Sequence, residues 1–91
     1  LYFASEGGHL QLVEALLEEG ADVNRRCGLH GTALQAAVKK ENRQMVELLL
    51  NNSKTFVNSF SSEIGTALNT AACTGNLNIV KLLHEKGANI N

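Results

Sequence analysis

The sequence predicts an all-α solenoid of stacked helix-turn-helix units joined by hairpin loops, and three observations carry that expectation. Thr32-Ala33-Leu34 recurs as Thr66-Ala67-Leu68, 34 residues further on, and a recurrence of roughly 20 to 50 residues marks a stacked array. The register extends beyond that triplet: Val46-Glu47-Leu48-Leu49 returns as Val80-Lys81-Leu82-Leu83, and Val13-Glu14-Ala15-Leu16 stands 33 residues before the first of these. Composition agrees, because the 91 residues are 44 % hydrophobic but only 4 % aromatic, with no Trp and no Pro. A core must then be built from Leu, Val, Ile and Ala, which suits helices.

The elements follow in order along one domain spanning residues 1–91, divided into units of about 1–24, 25–58 and 59–91. The first unit carries its apolar stripe around Val13 and Leu16, with Glu14, Glu18 and Glu19 on a solvated outer face, and closes on Gly20-Ala21-Asp22-Val23-Asn24. In the second, Ala33 to Lys40 is a helical window whose Ala33, Ala36 and Ala37 allow close helix approach. Glu41-Asn42 breaks it, and Arg43 to Leu50 resumes with Met45, Val46, Leu49 and Leu50 on one stripe and Gln44 and Glu47 facing water. The third repeats the stripe with Ile79, Val80, Leu82 and Leu83 and closes on Gly87-Ala88-Asn89-Ile90-Asn91. The middle unit closes differently, on Ser53-Lys54-Thr55-Phe56-Val57-Asn58, one residue longer and without glycine. Asn51 or Asn52 is the residue expected to take a left-handed conformation there. Helices of about eight residues do not persist alone in water, so each unit must bury its stripe against the next, and stability becomes a sum of unit and neighbour terms.

These residues resemble the ankyrin repeat, whose pattern runs Thr-Pro-Leu-His-x-Ala-Ala, two variable residues, Gly-His, a Val-Val-x-Leu-Leu stripe, then Gly-Ala-Asp-x-Asn. Thr66-Ala67-Leu68-Asn69-Thr70-Ala71-Ala72-Cys73-Thr74-Gly75-Asn76 follows it in register, and Leu1 to His9 enters it midway. Two departures stand out. Ala33 and Ala67 replace the usual Pro, and His30 and Ile64 replace the usual hairpin Gly, so that Gly31 and Gly65 are expected to take the turn one position later. The array begins and ends inside the pattern without polar capping helices, which implies a longer parent chain. The resemblance also places Asn24, Asn58 and Asn91 at the hairpin asparagine, whose side chain bonds nearby backbone and which is hydroxylated in some family members.

Other functions find little support in the residues. Eight Lys plus Arg against nine Asp plus Glu leave a net charge of −1, so no global field draws the chain to nucleic acid or an anionic membrane. No apolar run approaches the roughly 20 residues needed to span a bilayer. Cys27 and Cys73 form no disulfide framework, and with no leader in view the chain reads as intracellular, in the cytoplasm. Cys27 and His30 have half of a zinc-site spacing, but no second pair completes four ligands, so no metal is expected; Cys27 reads as a hairpin residue and His9 as a helix-junction residue. Gly7-Gly8 is a break between helices, no Gly-x4-Gly-Lys loop occurs, and no nucleophile, base and orienting group converge. No cofactor and no catalysis are expected.

The resemblance implies a module that binds a protein or peptide on the concave surface formed by hairpin tips and first helices. Carried onto this sequence, the partner-binding residues are Arg26, Leu29, Phe60, Ser62 and Glu63 in the hairpins and Glu6, Lys39, Lys40, Cys73 and Thr74 on the first helices, with Gly7, Gly28, Gly31 and Gly65 beside them. Arg26, Lys39 and Lys40 would gather positive charge, and Phe60 and Leu29 would place apolar groups at neighbouring tips, a combination suited to a peptide with an acidic flank and an apolar anchor. A different reading makes this stretch a structural spacer within a larger protein that binds nothing itself. A third is self-association through uncovered ends, which flanking repeats would suppress to leave a monomer.

Overall fold

The computed structural model describes residues 1–28, 31–52, 54–59 and 65–88. Six helices occur among them, in three consecutive pairs: α1 (Tyr2–Glu6) with α2 (Leu10–Glu18), α3 (Ala33–Lys39) with α4 (Arg43–Leu50), and α5 (Ala67–Thr74) with α6 (Leu77–Glu85). The second pair ends within one residue of the windows expected from periodicity.

Each pair starts and turns for local reasons. Thr32 caps α3 by accepting from the Gln35 amide at 3.5 Å, while the Gln35 side chain accepts from the Thr32 amide at 2.7 Å, closing a capping box. Thr66 caps α5 in the same way through the Asn69 amide at 3.2 Å. With these caps in place, alanine serves at the first helical position where the repeat pattern has proline. Asn42 and Asn76 then cap the second helices by accepting from the Met45 and Ile79 amides at 3.1 and 3.2 Å. The residue just before each second-helix cap is left-handed: Gly8 at φ 78°, Glu41 at 57° and Gly75 at 74°. Glu41 is therefore a side-chain-bearing residue held where glycine is at ease.

Gly31 and Gly65 take φ of 91° and 73°, the turn expected of them one position after His30 and Ile64. The expectation for Asn51 and Asn52 is corrected. Asn51 is right-handed at φ −72°, and among the described residues Glu41 alone of the non-glycines has positive φ. Side chains hold the longer loop instead. The Asn52 carboxamide oxygen accepts from the Lys54 amide at 2.9 Å, and the Thr55 hydroxyl donates to the Leu49 carbonyl at 2.6 Å, satisfying an acceptor at the end of α4.

One core runs through all three pairs. Val13, Leu34, Val38, Met45, Val46, Leu49, Ala67, Ile79 and Leu83 are buried within it, and burying an aliphatic side chain of this size stabilises by about 1.5–3 kcal/mol. Alanines on α3 and α5 let first helices pack on first helices more closely than second helices pack on second helices. A stack that is tighter along one side bends toward that side, so α1, α3 and α5 line its inner face.

Register decides what the two ends leave open. Phe3 is 69 % exposed and Leu12 51 % exposed, whereas Ala36 and Met45, their equivalents one unit later, are fully buried. At the other end Leu68, Ala72, Val80 and His84 line a groove of about 330 Å³. Their equivalents Leu34, Val38, Val46 and Leu50 are all buried, because a third helix pair lies over the second.

Candidate partner-binding surface

The hairpin segments are tied from one unit to the next by side chains. Asn24 donates its Nδ2 to the Lys54 carbonyl at 2.6 Å and accepts the Phe56 amide on its Oδ1, also at 2.6 Å. Asn58 repeats the first of these contacts with the Gly87 carbonyl at 3.3 Å. The Asn24 and Asn58 side chains therefore reach backbone about 30 residues ahead, across the unit boundary, and Asn91 lies outside the described residues. Gln35 makes a second tie. It is 1 % exposed, and its Nε2 donates to the Ser59 carbonyl at 3.1 Å and to the Gly65 carbonyl at 2.5 Å. Those two residues bound the segment that contains Phe60, Ser62 and Glu63.

Three turns of first helix supply most of the remaining candidates. Glu6, Lys39 and Cys73 occupy one register position at the ends of α1, α3 and α5, and Lys40 and Thr74 share the next. Since these helices are neighbours on the inner face, the positions form a row. Lys39, Lys40, Cys73 and Thr74 are exposed, whereas Glu6 is half-buried and offers less to a partner. The Thr74 hydroxyl donates to the Ala71 carbonyl at 2.9 Å, so part of its polar capacity is spent on its own helix. Gly31, next to the hairpin candidates, is buried and presents no surface.

Arg26 is exposed in the hairpin between the first and second units. Leu29, Phe60, Ser62 and Glu63 lie outside the described residues, and so does His30 of the half zinc spacing. Cys27 donates its amide to the Gly31 carbonyl at 2.8 Å, a hairpin role. Two exposed residues that motif transfer missed, Phe3 and Arg25, line one groove with Arg26. Their signal in the sequence is an aromatic pair opening the first helix and an Arg-Arg pair just after the hairpin asparagine.

Stacked helix pairs tied across their boundaries by hairpin side chains define a helical repeat scaffold. The chain belongs to the ankyrin-repeat family: the family model for ankyrin repeats in three copies matches residues 1–91. Among similar proteins, a rice protein (Oryza sativa subsp. japonica) named Probable E3 ubiquitin-protein ligase XBOS33 is 39 % identical over 83 residues, covering 91 % of this chain and 16 % of its own length. Ankyrin repeat and KH domain-containing protein mask-1 of Caenorhabditis elegans is 34 % identical over 88 residues, 97 % of this chain and 3 % of the relative. Notch-regulated ankyrin repeat-containing protein A of Danio rerio is 41 % identical over 73 residues, 77 % of this chain and 64 % of the relative. The chain spans less than two thirds of each. Ankyrin repeats generally mediate protein–protein interaction and are typically non-enzymatic. Among the described residues, no helix is long and apolar enough to cross a membrane.

Proposed function

We propose that this stretch is a non-catalytic, intracellular protein-interaction module that acts as a monomer within its parent chain. It binds a partner protein or peptide along the inner row of Lys39, Lys40, Cys73 and Thr74, flanked by Glu6, and on the hairpin residues Arg26, Leu29, Phe60, Ser62 and Glu63. The supporting observation is that successive first helices repeat an exposed position at the same register while their buried faces stay aliphatic. The part of this surface carried on stacked helices has little conformational freedom to lose, so little ordering entropy opposes association there.

The test is an affinity capture from cell extract, read by mass spectrometry, comparing the chain with an Arg26→Glu, Lys39→Glu, Phe60→Ala variant that retains its helical circular dichroism. Proteins lost with the variant support the proposal. An unchanged set of captured proteins favours the spacer reading.

A further inference from the structure

A groove of about 570 Å³ opens between the first two units, where Leu17, Asp22 and Val23 face Asn52, Lys54 and Phe56. No first-helix residue lines it, so it is separate from the inner row. Leu17 shares its register with Leu50, which the third unit buries, and with His84, which lines the groove beyond the third unit. That position looks forward along the array, and a repeat before Leu1 would stack on the other side of α2. Phe56 belongs to the middle unit, with a helix pair before it and another after it, and is 66 % exposed. Its openness is therefore independent of what flanks the three units.

The middle unit places this ring where the first unit has a cap. Phe56 occupies the register of Asp22, whose Oδ1 accepts the Asn24 amide at 2.9 Å, and a phenyl ring offers no such acceptor. One exposed apolar residue is ordinary on a protein surface, but this one shares a groove with Leu17 and stands on a held loop. Its amide donates to Asn24 Oδ1 at 2.6 Å, and the Thr55 hydroxyl beside it donates to the Leu49 carbonyl at 2.6 Å.

The charge beside the ring is negative. Glu18 and Glu19 close α2, Asp22 follows three residues later, and the last turn of α2 holds no basic residue. All three acids are exposed, and none has an ion pair among the described residues. Carboxylates at a helix C-terminus add to the negative end of its dipole. Lys54 is the one cation among the described residues lining the groove, while Arg25 and Arg26 line a different one. Three carboxylates and a helix end outweigh one ammonium, so a cationic group is drawn in.

We infer that this groove is a second contact surface that takes a basic peptide segment, with an apolar side chain on Phe56 and Leu17 and cationic side chains toward Glu18, Glu19 and Asp22. It holds whether or not Lys39 and Lys40 bind a partner.

The experiment titrates the protein into a fluorescein-labelled probe peptide, Arg-Lys-Arg-Leu-Phe-Lys-Arg-Lys, and reads anisotropy. One control peptide replaces Leu-Phe with Ser-Ser and keeps every charge, and another replaces each basic residue with Glu. Phe56→Ala should weaken probe binding about tenfold, the scale of one interface anchor. Phe56→Asn, which copies the register of Asn89 in the third unit, should do the same. Glu18→Gln, Glu19→Gln and Asp22→Asn combined should weaken it by about as much, with a larger effect at low salt. Asp22→Asn keeps an oxygen for the Asn24 amide and Phe56 is exposed, so these variants should retain the parent's circular dichroism. Glu85→Gln, at the register of Glu18 in the third unit, and Glu6→Gln, on the inner row, should leave binding unchanged. Equal binding of either control peptide, equal loss in the Glu85 or Glu6 variant, or no anisotropy change would each overturn the inference. So would a dimer in sedimentation equilibrium that Phe56→Ala dissociates, because the occupant would then be a second copy of this chain.

Discussion

Replacing Gln35 tests how one unit is tied to the next, because one buried carboxamide carries four contacts. Its oxygen accepts from the Thr32 amide and hydroxyl at 2.7 and 3.3 Å, and its nitrogen donates to the carbonyls of Ser59 and Gly65 at 3.1 and 2.5 Å. Gln35→Ala leaves two carbonyls without their donor, each costing about 1 kcal/mol or more. It also opens half of a capping box, about 0.5–1 kcal/mol, and trims buried side chain. About 3 kcal/mol is the expected loss, against a total of about 5–10 kcal/mol for a domain of this length. Urea unfolding followed by circular dichroism should show it, with Tm lower by about 12 °C or more at about 4 °C or more per kcal/mol.

Gln35→Glu separates the donor from the packing. The introduced carboxylate keeps the shape and still accepts from Thr32, but points an oxygen at the two carbonyls that formerly received a donor. Its folded-state pKa is thereby raised above the unfolded value, so this variant should be destabilised at neutral pH and regain stability as pH falls and the acid becomes a donor. A Gln35→Ala loss below about 1 kcal/mol, or a Gln35→Glu stability that does not change with pH relative to the parent, would refute the clamp.

Asn24→Ala removes both cross-unit bonds to Lys54 and Phe56 and should cost about 2 kcal/mol in the same urea assay, whereas Asn24→Asp keeps the acceptor and should cost less. Ser5 is fully buried, and its Oγ has no hydrogen-bond partner among the described residues, so Ser5→Ala should stabilise by about 1 kcal/mol, measured as a higher urea midpoint at unchanged slope. Glu41→Gly relieves the left-handed strain at φ 57° and should raise stability by about 0.5–1 kcal/mol, while Gly75→Ala introduces that strain at φ 74° and should lower it by about as much.

The helices were legible because their signal is local and repeated: a stripe such as Met45, Val46, Leu49 and Leu50 has one periodicity, and three copies of it confirm one another. Partners of polar residues were not. Asn24 in a turn-like Gly-Ala-Asp-Val-Asn segment reads as a residue that bonds its own turn, yet its partners are Lys54 and Phe56, and no pattern within one unit separates backbone two residues away from backbone of the next unit. The Asn51 and Asn52 expectation failed for a related reason. It assumed that a helix ending without glycine needs a left-handed residue, while Thr55 reaches back to cap the Leu49 carbonyl from six residues away. The candidate site was legible as register positions, since Glu6, Lys39 and Cys73 follow from alignment alone. Whether a position is open depends on which neighbour covers it, which is why Glu6 is half-buried and Phe3, equivalent to buried Ala36, is not.

Three polar ties run forward along the chain, Asn24 to the second unit's loop, Gln35 to the residues that bracket the next hairpin and Asn58 to Gly87, while Asn76 reaches back to the Glu41 carboxylate at 3.4 Å. The loop after α4 is therefore held from two sides, by Asn24 of the unit before it and by its own Thr55 bonded to the Leu49 carbonyl. In a nearest-neighbour array, loosening one interface lowers the order of the next loop before it unfolds the helices. A binding surface built on such loops draws its preorganisation from stacking, so a buried residue such as Gln35, which touches no partner, sets how much ordering entropy recognition must overcome. On the proposed reading, stability and affinity are coupled through the unit boundaries, and Gln35 joins the two because its carboxamide oxygen caps its own helix while its nitrogen holds the carbonyls of Ser59 and Gly65.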